Sequence, residues 1–329
     1  MPRASPASWP PDTGWAAQAV ARQASIAATE PDSTGKLAVL LEKNLICVTG
    51  LPRAGSTLLC QLLGLHPDLY SPGYSSPLNE AIRKLRHSIS DSTFLAAQLD
   101  VDAKLVHQRL LNAFRGFVDG WFAEAEEPWV VDKNRGWLRT IELARLLDPD
   151  VRMIVCIRDL GQIFGSVEAA HRKTMLFEFP DHLDPDSPMV RANRLFGDGG
   201  IVGWPLRSME SLQDLQGQDL RENLYYIAFE KLMEDPVDAM NRIYDWLGVG
   251  HVDWDPGNIP VKPAESDSHY RMKYRHSTYS SIRAPEQHRV SPRIENGFKQ
   301  RFRWYYQQFY PHLLPQPAPQ PGQGAGQKV

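Results

Sequence analysis

Residues 44–57 read NLICVTGLPRAGST, and the fold turns on how this stretch is parsed. The run 44–49 is short, apolar and stopped by Gly50, the pattern of a strand buried on both faces. From Ser56 onward Leu58, Leu59, Leu62 and Leu63 recur on one helical face, and His66-Pro67 closes the helix. A loop with two glycines therefore joins a buried strand to a helix. In that setting the N–H groups of the loop and first turn converge, and the helix dipole favours an anion there. Gly50 and Gly55 would let the backbone approach phosphate oxygens closely. The alternative for an isolated loop is a plain Gly/Pro turn between strand and helix.

Outward from the loop, strands and helices alternate. Ser76-Pro77 opens a second helix, serine as cap and proline at the first helical position. A helix is expected over 102–125, a strand over 129–131 and a helix over 138–147 ended by Asp148-Pro149. A strand over 151–157 precedes a helix over 161–171, and a strand over 224–228 precedes an amphipathic helix over 237–247 ended by Gly248. Strands separated by helices imply parallel neighbours, because only crossover connections join them. The expected fold is a single α/β domain over 37–314, with a P-loop-type, mostly parallel central sheet flanked by helices. Residues 1–36, rich in Pro, Ala, Ser and Thr, read as a disordered or extended segment, and 315–329 (PQPAPQPGQGAGQKV) as a disordered Pro/Gly/Gln tail. Residues 171–222 break the alternation with Pro and Gly clusters and read as an irregular insertion that shapes a substrate site.

Composition narrows the partners. A formal net charge of −3 over 329 residues argues against nucleic acid held by bulk electrostatics, and leaves room for a local basic pocket. Cys47 and Cys156 lie in apolar runs that read as strands and Cys60 in a predicted helix; without metal-ligand spacing, all three read as small core hydrophobes. No run is long enough to span a membrane, and the N-terminal stretch MPRASPASWPPDTGW lacks an apolar h-region, so a cytoplasmic protein is expected.

The loop spacing is G-x-x-x-x-G-x-T, close to the Walker pattern but with Ser56 in the lysine slot and the cation moved to Arg53. A nucleoside-triphosphate enzyme needs that lysine, so a different phosphorylated donor is indicated. Pro52, Arg53, Ala54, Gly55, Ser56 and Thr57 (PRAGST) resemble the 5′-phosphosulfate loop of the sulfotransferase superfamily that uses 3′-phosphoadenosine-5′-phosphosulfate (PAPS). A second element resembles that family's 3′-phosphate motif: Arg158 at a strand end and Ser166 eight positions on, in RDLGQIFGS. A strand-end guanidinium and a hydroxyl from the next helix can converge on one phosphate. Looser matches are VDKN at 131–134, carrying Lys133; Phe229-Glu230-Lys231-Leu232 with Asp235-Pro236; and Arg283 with Arg293 in a C-terminal basic segment.

The resemblance implies transfer of a sulfuryl group from PAPS, as co-substrate and without a required metal, to a hydroxyl or amine of a small-molecule or peptidic acceptor. It assigns Arg53 and Lys133 to charge on the leaving oxygen, and the loop amides with Ser56 and Thr57 to the 5′-phosphate. Arg158 and Ser166 take the 3′-phosphate, with Arg283 and Arg293 closing over it. Phe229, in place of the usual Tyr, is either an adenine contact or a core aromatic. Glu80 is the nominated base, with His87 and His171 behind it, and Arg135 stands where relatives place a histidine. Acceptor contacts are expected from 70–76, 175–179 and 198–205 with Trp204. Two rivals stand beside this: a P-loop kinase, with Asp132 ending the strand WVVD as a magnesium ligand, and a nucleotide-binding domain without chemistry.

Overall fold

Strand β1 (Asn44–Gly50) forms the centre of a five-stranded sheet whose pairings are all parallel. The computed structural model describes residues 40–175, 187–212, 220, 222–261, 265–266, 275–276 and 278–315. The segment 1–36, all of the tail but Pro315, and the stretch 176–179 expected near the acceptor lie outside the described residues. Around β1 the order is β2 (Leu69–Tyr70), β3 (Trp129–Lys133), β1, β4 (Arg152–Ile157), β5 (Leu224–Ala228). Leu45, Ile46, Cys47 and Val48 are wholly inaccessible, as the uninterrupted apolar run requires of a strand covered on both faces. Helices α1 (Ser56–Leu63), α2 (Leu78–Ser90), α3 (Thr93–Trp121), α4 (Ile141–Leu147) and α5 (Leu160–Thr174) supply the crossovers. This is the single α/β domain that the strand–helix alternation predicts.

The chain's route through the sheet reverses at β1. The next two strands stack on one side of it and the last two on the other. Such a switch point opens a crevice beyond the carboxyl ends of the strands, where ligands of open α/β sheets bind.

Several elements differ from the sequence expectation for identifiable reasons. The helix expected from 102 begins nine residues earlier, capped by Ser92, whose Oγ accepts from Leu95 N at 3.4 Å. Asp102 interrupts it with non-helical φ −152° and ψ 83°, then recaps it by accepting from Leu105 N at 2.9 Å. An Asp side chain competes with the helix backbone in this way. The helix expected over 138–147 starts instead as a 3-10 turn, Arg135–Thr140, capped where Gly136 N donates to Asn134 Oδ1 at 2.7 Å. Strand β3 runs on through Asp132 and Lys133, both buried.

In the interval expected to be irregular, two helices form: α6 (Pro188–Phe196) and α7 (Gly203–Ser211). A buried bidentate pair anchors α6 to α5, Arg191 Nε and Nη2 each 2.6 Å from an oxygen of Glu168. The chain continues from β5 through α8 (Phe229–Glu234) and α9 (Pro236–Leu247), and a short antiparallel pair joins β6 (Glu265–Ser266) to β7 (Arg275–His276). Near the C-terminus α10 (Pro292–Arg301) and α11 (Arg303–Phe309) pack an aromatic cluster on the sheet end, with Phe298 stacked on Phe196 at 4.1 Å. All three cysteines are buried thiols outside any disulfide. Among the described residues no helix is long and apolar enough to cross a membrane, and no cluster of His, Cys, Asp and Glu could hold a metal ion.

Candidate active site

The loop after β1 is held in backbone conformations that few residues tolerate. Gly50 has φ 119°, and a Cβ there would sit 2.2 Å from the carbonyl oxygen of Cys156 on the neighbouring strand. Leu51 N donates to that same oxygen at 2.9 Å, so the loop leaves the sheet tight against β4. Arg53, at φ 62°, is the one non-glycine residue at positive φ among the described residues. Gly55 caps α1 at φ 86°, where a Cβ would meet the ring of Phe229 at 2.6 Å. A non-glycine residue held left-handed inside such a loop marks a place where surrounding structure overrides local preference, as happens at ligand clamps.

The strain orients Arg53. Its Nε donates to Ser166 Oγ on α5 at 3.1 Å, and its carbonyl accepts from Arg158 Nη1 at 3.0 Å. The guanidinium of Arg158 also lies 4.4 Å from the ring centroid of Phe229. Loop, strand end and helix thus meet at one point through Arg53, Arg158 and Ser166. A second cation sits beside the loop: Lys133 Nζ, buried, donates to Thr57 Oγ1 and to the carbonyl of Gly73, both at 3.1 Å. Burial lowers the Arg158 pKa from its ordinary value, Glu230 opposes that shift, and the nearby Arg53 adds to it.

Arg158 is fixed from behind by the C-terminal helices. The hydroxyl of Tyr305 accepts from Arg158 N at 3.3 Å and donates to Arg158 O at 2.9 Å. Tyr306 donates to Asp159 Oδ2 at 3.0 Å, Tyr310 donates to Glu230 Oε2 at 2.8 Å, and Glu230 Oε1 accepts from Asp159 N at 3.1 Å. The other Asp159 oxygen caps α5 through Gln162 N at 2.9 Å. Sequence inspection misses this network, because tyrosines near a C-terminus carry no local signal of what they will touch.

In front of that network the loop, Lys133, Arg158 and Ser166 line a cavity of about 720 Å³, within the span usual for small-molecule sites. Pro52, Arg53, Gly55, Ser56, Thr57, Lys133, Arg158, Ser166 and Phe229 all face it, with Asn134, Arg135 and Lys173 alongside. Its outer wall is a strap over 278–288 that includes Arg283, whose guanidinium stacks on Tyr279 at 3.8 Å. Gln61 on α1 holds the strap by donating to the carbonyls of Tyr279, at 3.1 Å, and Pro260.

Other nominated residues fall elsewhere. Ala54 is buried beneath the loop, and Glu80 and Arg293 lie exposed on α2 and α10, outside the cavity lining. His87 is exposed, 3.8 Å from Asp91, and His171 is buried within α5. Of the expected acceptor segments, Ser75 reaches the cavity, whereas Trp204 packs 5.5 Å from the Arg139 guanidinium. Asp132 turns away from the cavity, accepting from Trp137 Nε1 at 2.6 Å. Burial pushes its carboxyl up to about 6, against hydrogen bonds from Ser76 and Trp137. A buried carboxyl bonded to an indole is not poised to hold magnesium beside the loop.

The family model described as "Sulfotransferase family" matches residues 46–256, which span the loop, Lys133, Arg158, Ser166 and Phe229. The chain belongs to the sulfotransferase family. It is 24% identical over 239 residues to the nodulation protein NoeE of Sinorhizobium fredii (strain NBRC 101917 / NGR234), covering 69% of this chain and 54% of that protein. The chain thus spans about half the length of that curated relative. Similar solved structures include a sulfotransferase from Alicyclobacillus acidocaldarius, 14% identical with a TM-score of 0.48, covering 83% of this chain and 96% of that one. Sulfotransferase STF9 from Mycobacterium avium is 16% identical with a TM-score of 0.42, covering 90% and 83%. As a sulfotransferase-family chain it carries its polar cavity residues on the loop, the ends of β3 and β4, the face of α5 and the strap.

Proposed function

We propose that this sulfotransferase-family chain uses PAPS as its donor and transfers the sulfuryl group to an acceptor hydroxyl or amine. The observation that carries the proposal is the meeting of Arg53, Arg158 and Ser166 at one wall of the cavity, with Lys133 and Thr57 joined nearby on the loop. A nucleotide with two separated phosphate groups matches two such centres. Arg158 and Ser166 would hold the 3′-phosphate, with Arg283 on the strap above it. The amides of the loop, Ser56 and Thr57 would hold the 5′-phosphate, and Phe229 would lie along the nucleotide.

In the reaction the acceptor oxygen or nitrogen forms a bond to sulfur while the bond from sulfur to the 5′-phosphate oxygen breaks, its electron pair staying on that oxygen. The products are the sulfated acceptor, 3′,5′-ADP and the acceptor's proton. Lys133 would answer the charge growing on the leaving oxygen, a role supported by the two hydrogen bonds that hold its ammonium in place. Kinase chemistry has weaker support, because Ser56 occupies the lysine slot and Asp132 faces Trp137.

Calorimetric titration with 3′,5′-ADP and with ATP–Mg tests the donor. Tight, metal-independent binding of 3′,5′-ADP that collapses in Arg158→Ala is expected, and preference for ATP–Mg would overturn the proposal. Turnover of PAPS against a panel of phenols, alcohols and amines then separates an enzyme from a nucleotide-binding domain without chemistry.

A further inference from the structure

The strap that walls the cavity is pinned to α5 at one residue. Gln162 Nε2 donates to the carbonyl of His288 at 3.1 Å, and His288 N donates back to Gln162 Oε1 at 3.0 Å. One turn on, Gly165 makes the contact possible: a Cβ at Gly165 would sit 2.3 Å from His288 Cβ and 3.1 Å from Val290 Cγ2. Gly165 immediately precedes Ser166, so the imidazole is delivered to the part of the cavity lined by Ser166 and Arg158. His288 itself lines that cavity and is partly buried.

We infer that His288 is a titratable member of the nucleotide's 3′-phosphate site, taking up a proton as the phosphate docks against Arg158 and Ser166. The inference rests on the donor reading above and adds to it that nucleotide binding is coupled to protonation.

Charges of both signs act on His288: the cations Arg158 at the end of β4, Arg53 on the loop and Lys173 on α5, and against them the carboxylate of Glu286 on its own strap. With the cations unscreened and the ring partly desolvated, its pKa lies below the ordinary 6.5, burial being the larger cause and Glu286 opposing it. The unliganded imidazole is therefore neutral near neutral pH. A phosphate dianion placed among the same cations reverses the local field and favours imidazolium. The sign follows: a pKa that rises on binding makes affinity greatest at low pH, and affinity falls as pH rises through the bound-state value.

The test is calorimetry of 3′,5′-ADP binding to the full chain near neutral pH, in two buffers of different ionisation enthalpy, beside His288→Gln. The ligand's own phosphates titrate nearby, so the readout is the difference between wild type and H288Q, with 5′-AMP as the ligand lacking the 3′-phosphate. Expected is extra proton uptake in wild type approaching one per site, absent in H288Q and absent with 5′-AMP. Wild-type affinity should then fall up to about tenfold more per pH unit than that of H288Q. In wild type alone, the NMR resonance of the His288 ring should titrate at higher pH with 3′,5′-ADP bound, a readout that survives if H288Q folds poorly. Equal proton uptake in both proteins with an unmoved imidazole would overturn the inference while leaving the donor intact. Failure of both proteins to bind 3′,5′-ADP would overturn the donor as well.

Discussion

Arg53, the one cation inside the loop that joins β1 to α1, is tied to Ser166 on α5, its Nε 3.1 Å from the serine Oγ across 113 residues of sequence. Arg158 closes the connection from the other side by donating to the Arg53 carbonyl at 3.0 Å. The sequence reading places Arg53 beside Lys133 at the leaving oxygen. In the structure the two cations point to different partners, Arg53 toward Ser166 and Lys133 toward Thr57.

If that division serves two phosphates, substitutions on the Ser166 side should be felt by the nucleotide's 3′-phosphate. Ser166→Ala should weaken 3′,5′-ADP about tenfold and 5′-AMP hardly at all, the scale of one hydrogen bond to a charged group. Arg158→Ala should cost roughly a hundredfold or more, since it removes a charge-assisted contact. Calorimetry with the two nucleotides reads both, and equal losses for 5′-AMP would place the 3′-phosphate elsewhere.

Lys133 should show the opposite signature. Its ammonium is buried and already fixed by Thr57 and Gly73, so it is suited to charge that appears only as the bond to sulfur breaks. Lys133→Ala should lower kcat by about two to three orders of magnitude, the usual cost of one such donor. The affinity for 3′,5′-ADP should move far less. A loss confined to KM would make Lys133 a binding residue only.

Tyr305 offers a test of how Arg158 is held. One hydroxyl satisfies both the N–H and the carbonyl of Arg158, and Tyr305 is completely buried. Tyr305→Phe leaves two buried backbone groups short of a partner and should destabilise the fold by about 1–3 kcal/mol in urea unfolding. It should also weaken 3′,5′-ADP several-fold, and Arg158→Ala should abolish that second effect. An independent, additive loss would mean that Tyr305 supports the core and not the arginine.

What the sequence made legible was local. The β1–loop–α1 unit, the strand ending at Arg158 and the helix bearing Ser166 are each specified within a dozen or so residues by apolar runs, glycines and caps. Four strands of the parallel sheet follow from their alternation, whereas the two-residue β2 at Leu69–Tyr70 is too short to carry an apolar run of its own. The parts left unread depend on contacts between distant segments. Tyr305, Tyr306 and Tyr310 meet Arg158, Asp159 and Glu230 only after folding, and His288 meets Gln162 across 126 residues. Glu80 looked eligible because of its type and helix position, yet solvent exposure puts it outside the cavity lining. Asp132 supported the rival kinase reading as a magnesium ligand, because the direction of a strand-end side chain is decided by Trp137, five residues on and folded back beneath it.

That buried carboxyl makes a prediction about pH. Burial raises Asp132 from 3.8 to about 6, so the folded chain holds its proton more tightly than the unfolded chain does. Below about 4 both states are protonated and the group is neutral in the balance. As pH rises through about 6 the native state must hold a buried anion, and stability is lost over that window. At roughly 1.4 kcal/mol for each pH unit of the shift, the full loss is on the order of 3 kcal/mol. Asp132→Asn keeps the shape and can still accept from Trp137 Nε1, but never ionises. Its stability relative to wild type should therefore climb between about pH 4 and pH 7, most steeply at about pH 5, where Asp132 is ionised in the unfolded chain and still protonated in the folded one. Urea unfolding of both proteins across that range measures the climb, and parallel curves would mean that Asp132 ionises alike in the folded and unfolded chains.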